Sequence, residues 1–484
     1  MTTNRIDVDA IFRRHPFAKT ILDRLHGGGF EAYLIGGVVR DGLQSAMGRV
    51  TRFPPADVDV ATAALPQEVR KLFTERPIVG VGEEFGVLVI VGPDGQSYEV
   101  ASFRVEGEYD GRWPSRVDLV RELEGDVKRR DLTINGLAAT ENGEVIDLVG
   151  GVEDLAALRV RAIGDPRARF REDSLRLLRA VRFVCQIDGA LDDETKAAIV
   201  EEVARIESIS QERIRDELLR ILGTSRAAKG FALLDEVGLL KRILPELVKT
   251  QGVPQPAEYH PEGDVFVHTI EAIRTADRFV EDPIVKLAIV LHDIGKPGAL
   301  QRNLGANMGG HCAIGAKTVG RISERLRLSR ETASRLAFLV KNHMRIAALP
   351  EMGRGKQVRF VSTKERAEQR SLRGRFPLFF DLLQVLVADC EASAHRSSGW
   401  RPVLQETLRV VEHIDRVCSM KRARELIDGH TLIELGLVPG PDLGALLTDL
   451  HDRILAGEIT CREQAIDVAR ATIERGMGRK NGGG

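Results

Sequence analysis

No apolar stretch in this chain of 484 residues approaches the roughly 20 residues that would cross a bilayer. The segment after Met1 lacks the apolar core of a secretory signal. A cytoplasmic protein without a membrane partner is therefore expected. Cysteine is scarce too: Cys185, Cys312, Cys390, Cys418 and Cys461 are odd in number and scattered, which fits neither a disulfide framework nor a Cys-x-x-Cys metal site. Nor is there an excess of charge of one sign, the formal net charge being -1. Charge is nevertheless locally sorted. Basic residues outnumber acidic ones from Arg354 to Arg375, from Lys128 to Arg130 and from Arg167 to Arg182, patterns that serve either as solvated helix faces or as patches for a polyanion. Fixed-period repeats are absent, and the sole low-complexity tract is the glycine-rich tail from Gly476, expected to be disordered. A chain of this length is too long for one core and should divide into about three domains or more.

What is present begins with Tyr33-Leu-Ile-Gly-Gly-Val-Val-Arg-Asp41 and Asp57-Val-Asp59. Alternation along a strand would put Asp57 and Asp59 on one face and Val58 and Val60 on the other. Facing carboxylates repel unless a cation joins them, and Mg2+ is commonly held by carboxylates plus substrate phosphates. Gly36 and Gly37 allow a tight turn and close backbone approach. The helix expected over Val38 to Met47 would turn its N-terminus toward anionic oxygens, with Arg40 adding charge. An ordinary strand-turn-helix with solvated aspartates is the plain alternative, and the order of the pieces favours a triphosphate pocket beside a metal site.

Strands are expected at Tyr33 to Ile35, Val58 to Ala61, Val87 to Val91, Tyr98 to Phe103 and Val145 to Leu148. From about Glu153 helical periodicity dominates. Gln251 to Pro256 is the clearest linker, and a second boundary falls near Lys421. In the segment Asp428 to Gly444, a helix-loop-helix, Gly436 and Gly440 would let a backbone turn closely against a ligand or another helix; a plain helical hairpin is the alternative.

Arg129-Arg-Asp-Leu-Thr-Ile-Asn135 sets two arginines before an expected helix start, where Asp131 or Thr133 would cap and Asn135 would hydrogen-bond a sugar or base. Glu99 is a candidate third carboxylate. Asp173, Arg176, Arg179 and Arg182 recur every third residue, so that on one helix they drift slowly around one side. An aspartate accepts from an amino group and an arginine fork donates to carbonyl and ring nitrogen, so this set can read a base edge; an Asp-to-Arg ladder on an exposed face is the alternative.

Together, Gly36-Gly37-x-x-Arg40-Asp41, Asp57-x-Asp59, Arg129 to Asn135 and Glu172-Asp173-x-x-Arg176 resemble the class II tRNA nucleotidyltransferases, the CCA-adding enzymes and their bacterial poly(A) polymerase relatives, over roughly residues 20 to 250. The resemblance implies that Asp57 and Asp59 are catalytic and hold Mg2+. It also implies that Gly36, Gly37, Arg40, Arg130, Asp131 and Asn135 bind the nucleotide, with Asp173, Arg176, Arg179 and Arg182 as base template and triphosphate contacts. The implied reaction is in-line attack of the tRNA 3′ end on CTP or ATP, assisted by two metals. Arg104 to Arg116 resembles the family's flexible loop. Two departures stand out: a longer connection between Gly48 and Asp57, and Gly136 where the family usually has alanine. The segment Val79 to Leu88 lacks the paired basic residues associated with poly(A) polymerases, while CC-only and A-only addition stay open.

Downstream, His268, His292-Asp293, His311, His343 and Asp389 combine imidazole with carboxylate, a set suited to first-row divalent metals. Their series resembles the HD phosphohydrolases over about residues 260 to 395. By that resemblance His268, His292, Asp293 and Asp389 bind one metal, a transition metal or Mg2+, and His311 and His343 complete a second, acting on phosphomonoesters or cyclic phosphates. A metabolite phosphohydrolase with an RNA-binding N-terminal half is the competing reading. The expected architecture is α+β: a nucleotidyltransferase head with a small mixed sheet (1–150), an all-α neck carrying the base template and an RNA-binding surface (151–250), an HD helical domain (251–420) and a helical RNA-binding tail (421–484).

Overall fold

The computed structural model describes residues 4–49, 53, 57–80, 85–107, 109–110, 113–114, 117–256, 258, 260–261, 263–393, 398–417 and 419–480. The chain divides into two compact units, Met1–Pro245 and Glu246–Gly484.

The first unit is built on a seven-stranded mixed sheet. Its strands are β1 (Ala32–Ile35), β2 (Asp59–Thr62), β3 (Ile78–Val79), β4 (Val87–Val91), β5 (Ser97–Ser102), β10 (Leu137–Ala139) and β11 (Val145–Asp147), in the order β11-β10-β1-β2-β5-β4-β3. Between β5 and β10 a ribbon leaves the sheet: β6 (Arg104–Glu106) pairs with β9 (Val117–Leu119), and β7 (Tyr109–Asp110) with β8 (Trp113–Pro114). Much of the segment expected to be a flexible loop is thus strand; its residues 108, 111, 112, 115 and 116 lie outside the described residues, as does most of the long connection before Asp57.

One pairing in the sheet differs from the rest. β2 and β5 run parallel, with Asp59 opposite Glu99, while the other pairings in the sheet are antiparallel. Val58 and Val60 are buried, as alternation requires, and Asp57 and Asp59 are exposed. Ile35, Ala61, Phe103, Val127 and Ala138 pack into a common core. The turn after β1 is made by Gly36 at φ 72°, a left-handed conformation that favours glycine, and the helix Gly37–Ala46 starts at once.

Two local expectations fail here. After Asp131 there is a single 3-10 turn, Thr133–Asn135, leading into β10, and no side chain caps it. Asp173 lies outside the helix that carries the three arginines: it ends the helix Pro166–Glu172, and the next runs Arg176–Ile187. The Asp173 carboxylate accepts the Leu175 N–H at 3.0 Å, a local bond that competes with helix continuation. The neck is not purely helical either, since Arg159–Val160 pairs in parallel with Ala190–Leu191. Gly136 answers to its neighbours: a Cβ there would meet Val149 Cγ2 at 2.9 Å and Ile163 Cδ1 at 3.0 Å.

The second unit is helical among its described residues. Helices Val265–Ala276, Pro283–Leu291, His311–Arg325, Arg330–Asn342 and Pro377–Ala392 form its first part, and Trp400–Arg416, Pro441–Ala456 and Arg462–Lys480 follow. The last helix continues into the tail expected to be disordered, with 481–484 outside the described residues. Gly436 turns the chain after the helix Gly429–Glu434 at φ 99°, and nothing comes within 4 Å of the place its Cβ would take, so neither it nor Gly440 serves a close approach among the described residues. Part of the basic stretch from 354 to 375 is spent inside this unit: Arg354 pairs with Glu406, Arg359 with Asp452, and Arg375 with Glu365 and Asp415. Among the described residues no helix is long and apolar enough to cross a membrane.

Candidate functional site

A cleft of about 530 Å³ opens in the first unit over the ends of β1, β2 and β5. Gly36, Gly37, Arg40, Asp59, Arg130, Asp131, Asn135, Asp173, Arg176, Arg179 and Arg182 all line it, joined by Glu99, Arg104, Arg129, Phe183 and Arg213. Asp57 is the one residue of the expected set that does not line the cleft, though its charge reaches Asp59. Eight arginines against four carboxylates make the lining strongly cationic.

The carboxylates sit at the β2–β5 end. Limited solvation, then the facing Glu99 and more weakly Asp57, push the Asp59 carboxyl up to about 6 against the pull of Arg130. Such a cluster of hard oxygen donors gains most from a divalent cation, and the donor set fits Mg2+.

The arginines are held from behind. Asp126, fully buried, takes Arg129 through Nη2 at 2.6 Å on one oxygen and Arg130 through Nη2 at 3.0 Å on the other. Burial opposes its ionisation, but the two guanidinium groups outweigh this and keep its carboxyl below the usual range. Arg179 donates to Asp131 at 2.7 Å, Asn135 donates to the other oxygen of Asp131 at 3.2 Å, and Arg40 donates to Asn135 Oδ1 at 2.7 Å. Asn135 thus bridges Asp131 and Arg40 while lining the cleft. Arg182 donates to the buried Glu217 at 2.7 Å, and burial pushes its guanidinium down to about 10. Arg176 pairs with Glu172, and Asp173 accepts Arg213 Nη2 at 2.7 Å. The Asp-to-Arg ladder along one helix is not formed. Asp173, Arg176, Arg179 and Arg182 each pair instead with a group outside the set.

The sequence reading missed Asp126, Arg213, Glu217 and Phe183. The last gathers Arg40, Arg179 and Arg182 over its ring at 5.0, 5.6 and 4.2 Å. The signal for Asp126 was its position three and four residues before the double arginine, the spacing of neighbours on a helix.

A second cluster lies in the other unit. His268, His292 and Asp389 bring one ligand atom each within 4.8 Å of one another, and so do His311, Cys312 and His343. Asp293 joins the two sets, 3.2 Å from His292 Nε2 through Oδ2 and 3.6 Å from both His311 and His343 Nε2 through Oδ1. All six residues expected here are brought together. Helix ends do most of this: His292 follows one helix, His343 follows another and His311 begins a third. Gly295 permits the approach, since a Cβ there would fall 2.1 Å from the His311 carbonyl oxygen.

The imidazoles are oriented alike. Nδ1 of His292, His311 and His343 lies 2.7, 3.0 and 2.7 Å from the carbonyls of Ile289, Met308 and Val340. A carbonyl only accepts, so each Nδ1 donates and each Nε2 faces the cluster, the arrangement that metal-ligating histidines adopt. His292 Nε2 is buried and has no hydrogen-bond partner. Burial opposes ionisation of Asp293 and Asp389, but His292 with Lys296, and His268, outweigh it and hold both carboxyls well below the usual range. Despite burial, hydrogen bonds with Asp293 and Cys312 push His343 up to about 10, and those with His311 and His343 bring the half-buried Cys312 thiol down to about 6. Cys312, unremarkable in sequence for want of a partner cysteine, stands inside the cluster.

Residues 32–161 match the family model described as "Poly A polymerase head domain", and residues 190–250 match "Probable RNA and SrmB- binding site of polymerase A". The chain is 40% identical over 235 residues to the CCA-adding enzyme of Leuconostoc citreum, 48% of this chain and 56% of that one. It is 43% identical over 229 residues to the enzyme of a Geobacillus species, 47% and 54% of the two chains. The match thus spans about half the length of these curated relatives. Among solved structures, the Bacillus stearothermophilus CCA-adding enzyme in complex with CTP superposes with a TM-score of 0.67 at 26% identity, covering 96% of this chain and 98% of that one. The Thermotoga maritima CCA-adding enzyme complexed with tRNA superposes with a TM-score of 0.58 at 17% identity over 98% and 97% of the two chains, a likeness of fold. Residues 32–161 and 190–250 are thus similar to the head domain and RNA-binding segment of polymerase A proteins, and about half of the chain is similar to CCA-adding enzymes.

Proposed function

We propose that this protein adds CCA to tRNA 3′ ends from CTP and ATP without a nucleic-acid template, and that its second unit carries an HD-type metal-dependent phosphohydrolase. The observation that carries the first part is the cleft with the Asp59–Glu99 pair at one end and carboxylate-anchored arginines along its wall. Asp57, Asp59 and Glu99 would hold Mg2+, which when bound would activate the attacking 3′-hydroxyl and stabilise the departing pyrophosphate. The Gly36–Gly37 turn with Arg40 and Arg130 would take the triphosphate. Arg176, Arg179 and Arg182 would face the base and triphosphate, and Asp173, shared with Arg213, would accept from the base amino group. Because Asp126, Asp131 and Glu217 fix these forks beforehand, the nucleotide would meet donors already oriented. The proposed segments are a head (1–150), neck (151–250), HD domain (251–420) and RNA-binding tail (421–484). The relatives named for CCA addition, one of them solved with CTP, support the same reading.

The test is incorporation with Mg2+ and CTP or ATP, singly and together, on tRNAs ending before the tail, after one C, or after both. Completion of CCA from either intermediate, lost in Asp59→Ala, is expected. A alone on a CC end would assign an A-adding enzyme, C alone a CC-adding enzyme, and long A tracts on any RNA a poly(A) polymerase. Incorporation unchanged by Asp59→Ala would refute the site.

The hydrolase reading is carried by the inward-facing Nε2 atoms and the unpartnered His292 Nε2. His268, His292, Asp293 and Asp389 would hold one divalent ion, with His311 and His343 toward a second, supplying an activated water. Cleavage of phosphomonoesters or 2′,3′-cyclic phosphates at RNA ends is expected, abolished in His292→Ala/Asp293→Ala with CCA addition intact. Cleavage that survives the double substitution would exclude this centre.

A further inference from the structure

Within the centre read above as a hydrolase metal site, the His311 side differs from the His268 side in one respect: it contains a sulfur. Cys312 Sγ is 3.5 Å from His311 Nε2, and His311 Nε2 is 3.3 Å from His343 Nε2. An ion in tetrahedral coordination, with bonds of about 2.3 Å to sulfur and about 2.05 Å to nitrogen, sets those donors about 3.6 Å and about 3.3 Å apart. The structure has both separations. Asp293 Oδ1, at 3.6 Å from each of the two imidazole nitrogens, supplies a fourth donor.

The two nitrogens cannot be each other's hydrogen-bond partners in their neutral forms. Both Nδ1 atoms donate to backbone carbonyls, so the two Nε2 atoms point at each other, an arrangement that becomes attractive only with a shared proton, as on a protonated His343, or with a metal cation between them. The edges on the other side are different. His268 Nε2 is 3.0 Å from Asp389 Oδ1, and His292 Nε2 is 3.2 Å from Asp293 Oδ2, close to the roughly 3.0 Å between adjacent ligands of an octahedral ion with bonds of about 2.1 Å.

We propose that Cys312 is a metal ligand, and that with His311, His343 and Asp293 it forms a closed tetrahedral site for a thiophilic divalent ion, zinc foremost, beside a harder, open site formed by His268, His292 and Asp389. The inference rests on the reading of this cluster as a metal centre. Its consequence is a division of labour: the thiolate side excludes Mg2+, because magnesium takes oxygen donors in octahedral geometry. Its coordination shell is filled by protein, so water and substrate bind on the His268 side.

The test uses the full-length chain in an Asp59→Ala background, which removes the transferase carboxylate as a competing site, stripped of metal and titrated with Co2+. Two equivalents of cobalt should bind, one of them giving the intense visible absorption of tetrahedral Co2+ and a thiolate-to-cobalt charge-transfer band in the near ultraviolet. Zinc should erase that band at one equivalent, and Mg2+ should not. Cys312→Ser, with its fold checked by circular dichroism, should lose the band and bind cobalt at this side at least about 10-fold more weakly, whereas His268→Ala should keep the band. Cobalt bound without the band in the Cys312 protein, a band that persists in Cys312→Ser, or displacement by Mg2+ would overturn the assignment of Cys312 while leaving the metal centre standing. No cobalt bound in this unit would overturn both.

Discussion

Asp59 is expected to be a destabilising residue whose loss makes the metal-free protein firmer. Its carboxyl is raised from 3.8 to about 6 by limited solvation and by Glu99 across the β2–β5 pair. A folded-state value above the unfolded one means that the native state holds its proton longer. Stability therefore falls as pH rises from about 4 to about 6, and the full penalty persists above that. A displacement of about 2 units corresponds to about 3 kcal/mol, and because water reaches this carboxylate, screening reduces it to about 1 kcal/mol. For a unit of this size that is a rise of about 2–4 °C in Tm on Asp59→Asn, measured by calorimetry with EDTA at pH 8. Near pH 4, where the native aspartate is protonated and the unfolded one about half so, the variant should gain little over the parent. Mg2+ should raise Tm of the parent at pH 8 and lose that effect below pH 6. An unchanged or lower Tm for Asp59→Asn at pH 8, or an equal gain at pH 4, would refute the view that these carboxylates are pressed together for a cation.

Asp126→Ala leaves Arg129 and Arg130 without their buried counter-charge, and denaturant unfolding should register a loss of about 3–5 kcal/mol. Phe183→Leu removes the ring shared by Arg40, Arg179 and Arg182 and should weaken nucleotide binding by about 1–2 kcal/mol, read by calorimetric titration with CTP; unaltered affinity would show that the guanidinium groups do not rely on it. Gly136→Ala drives a methyl into Val149 and Ile163 and should cost about 1–3 kcal/mol in the same unfolding assay.

Where hydrophobic pattern and local chemistry agree, the fold was readable. Val87–Val91, an unbroken run of β-formers, is a strand with the expected ends. β10 was not anticipated because Leu137-Ala-Ala139 has little β propensity of its own; pairing with β1 and β11 on either side makes it a strand. β2 begins one residue later than expected, at Asp59, so that Val58 as well as Asp57 precedes the strand. In the cleft, the residue types that carry chemistry were legible, since glycines, paired carboxylates and arginines stand close together in sequence. Their partners were not. Arg213 meets Asp173 across 40 residues and Glu217 meets Arg182 across 35, and no local spacing announces such pairs. Cys312 was passed over for a related reason: a search for cysteine pairs does not see a thiol whose companions are histidines from other helices.

The anchoring of the cleft arginines also has a genetic side. Arg179 depends on Asp131 and Asp173 on Arg213, so in each pair a change at one position strands a charge at the other, and the two should be inherited as a unit. Drift at this wall of the cleft is then slow by reason of the charge pairing alone. A single substitution must survive an unpaired charge before its compensating partner arrives, and the ion pairs act as a ratchet on the evolution of the cleft wall.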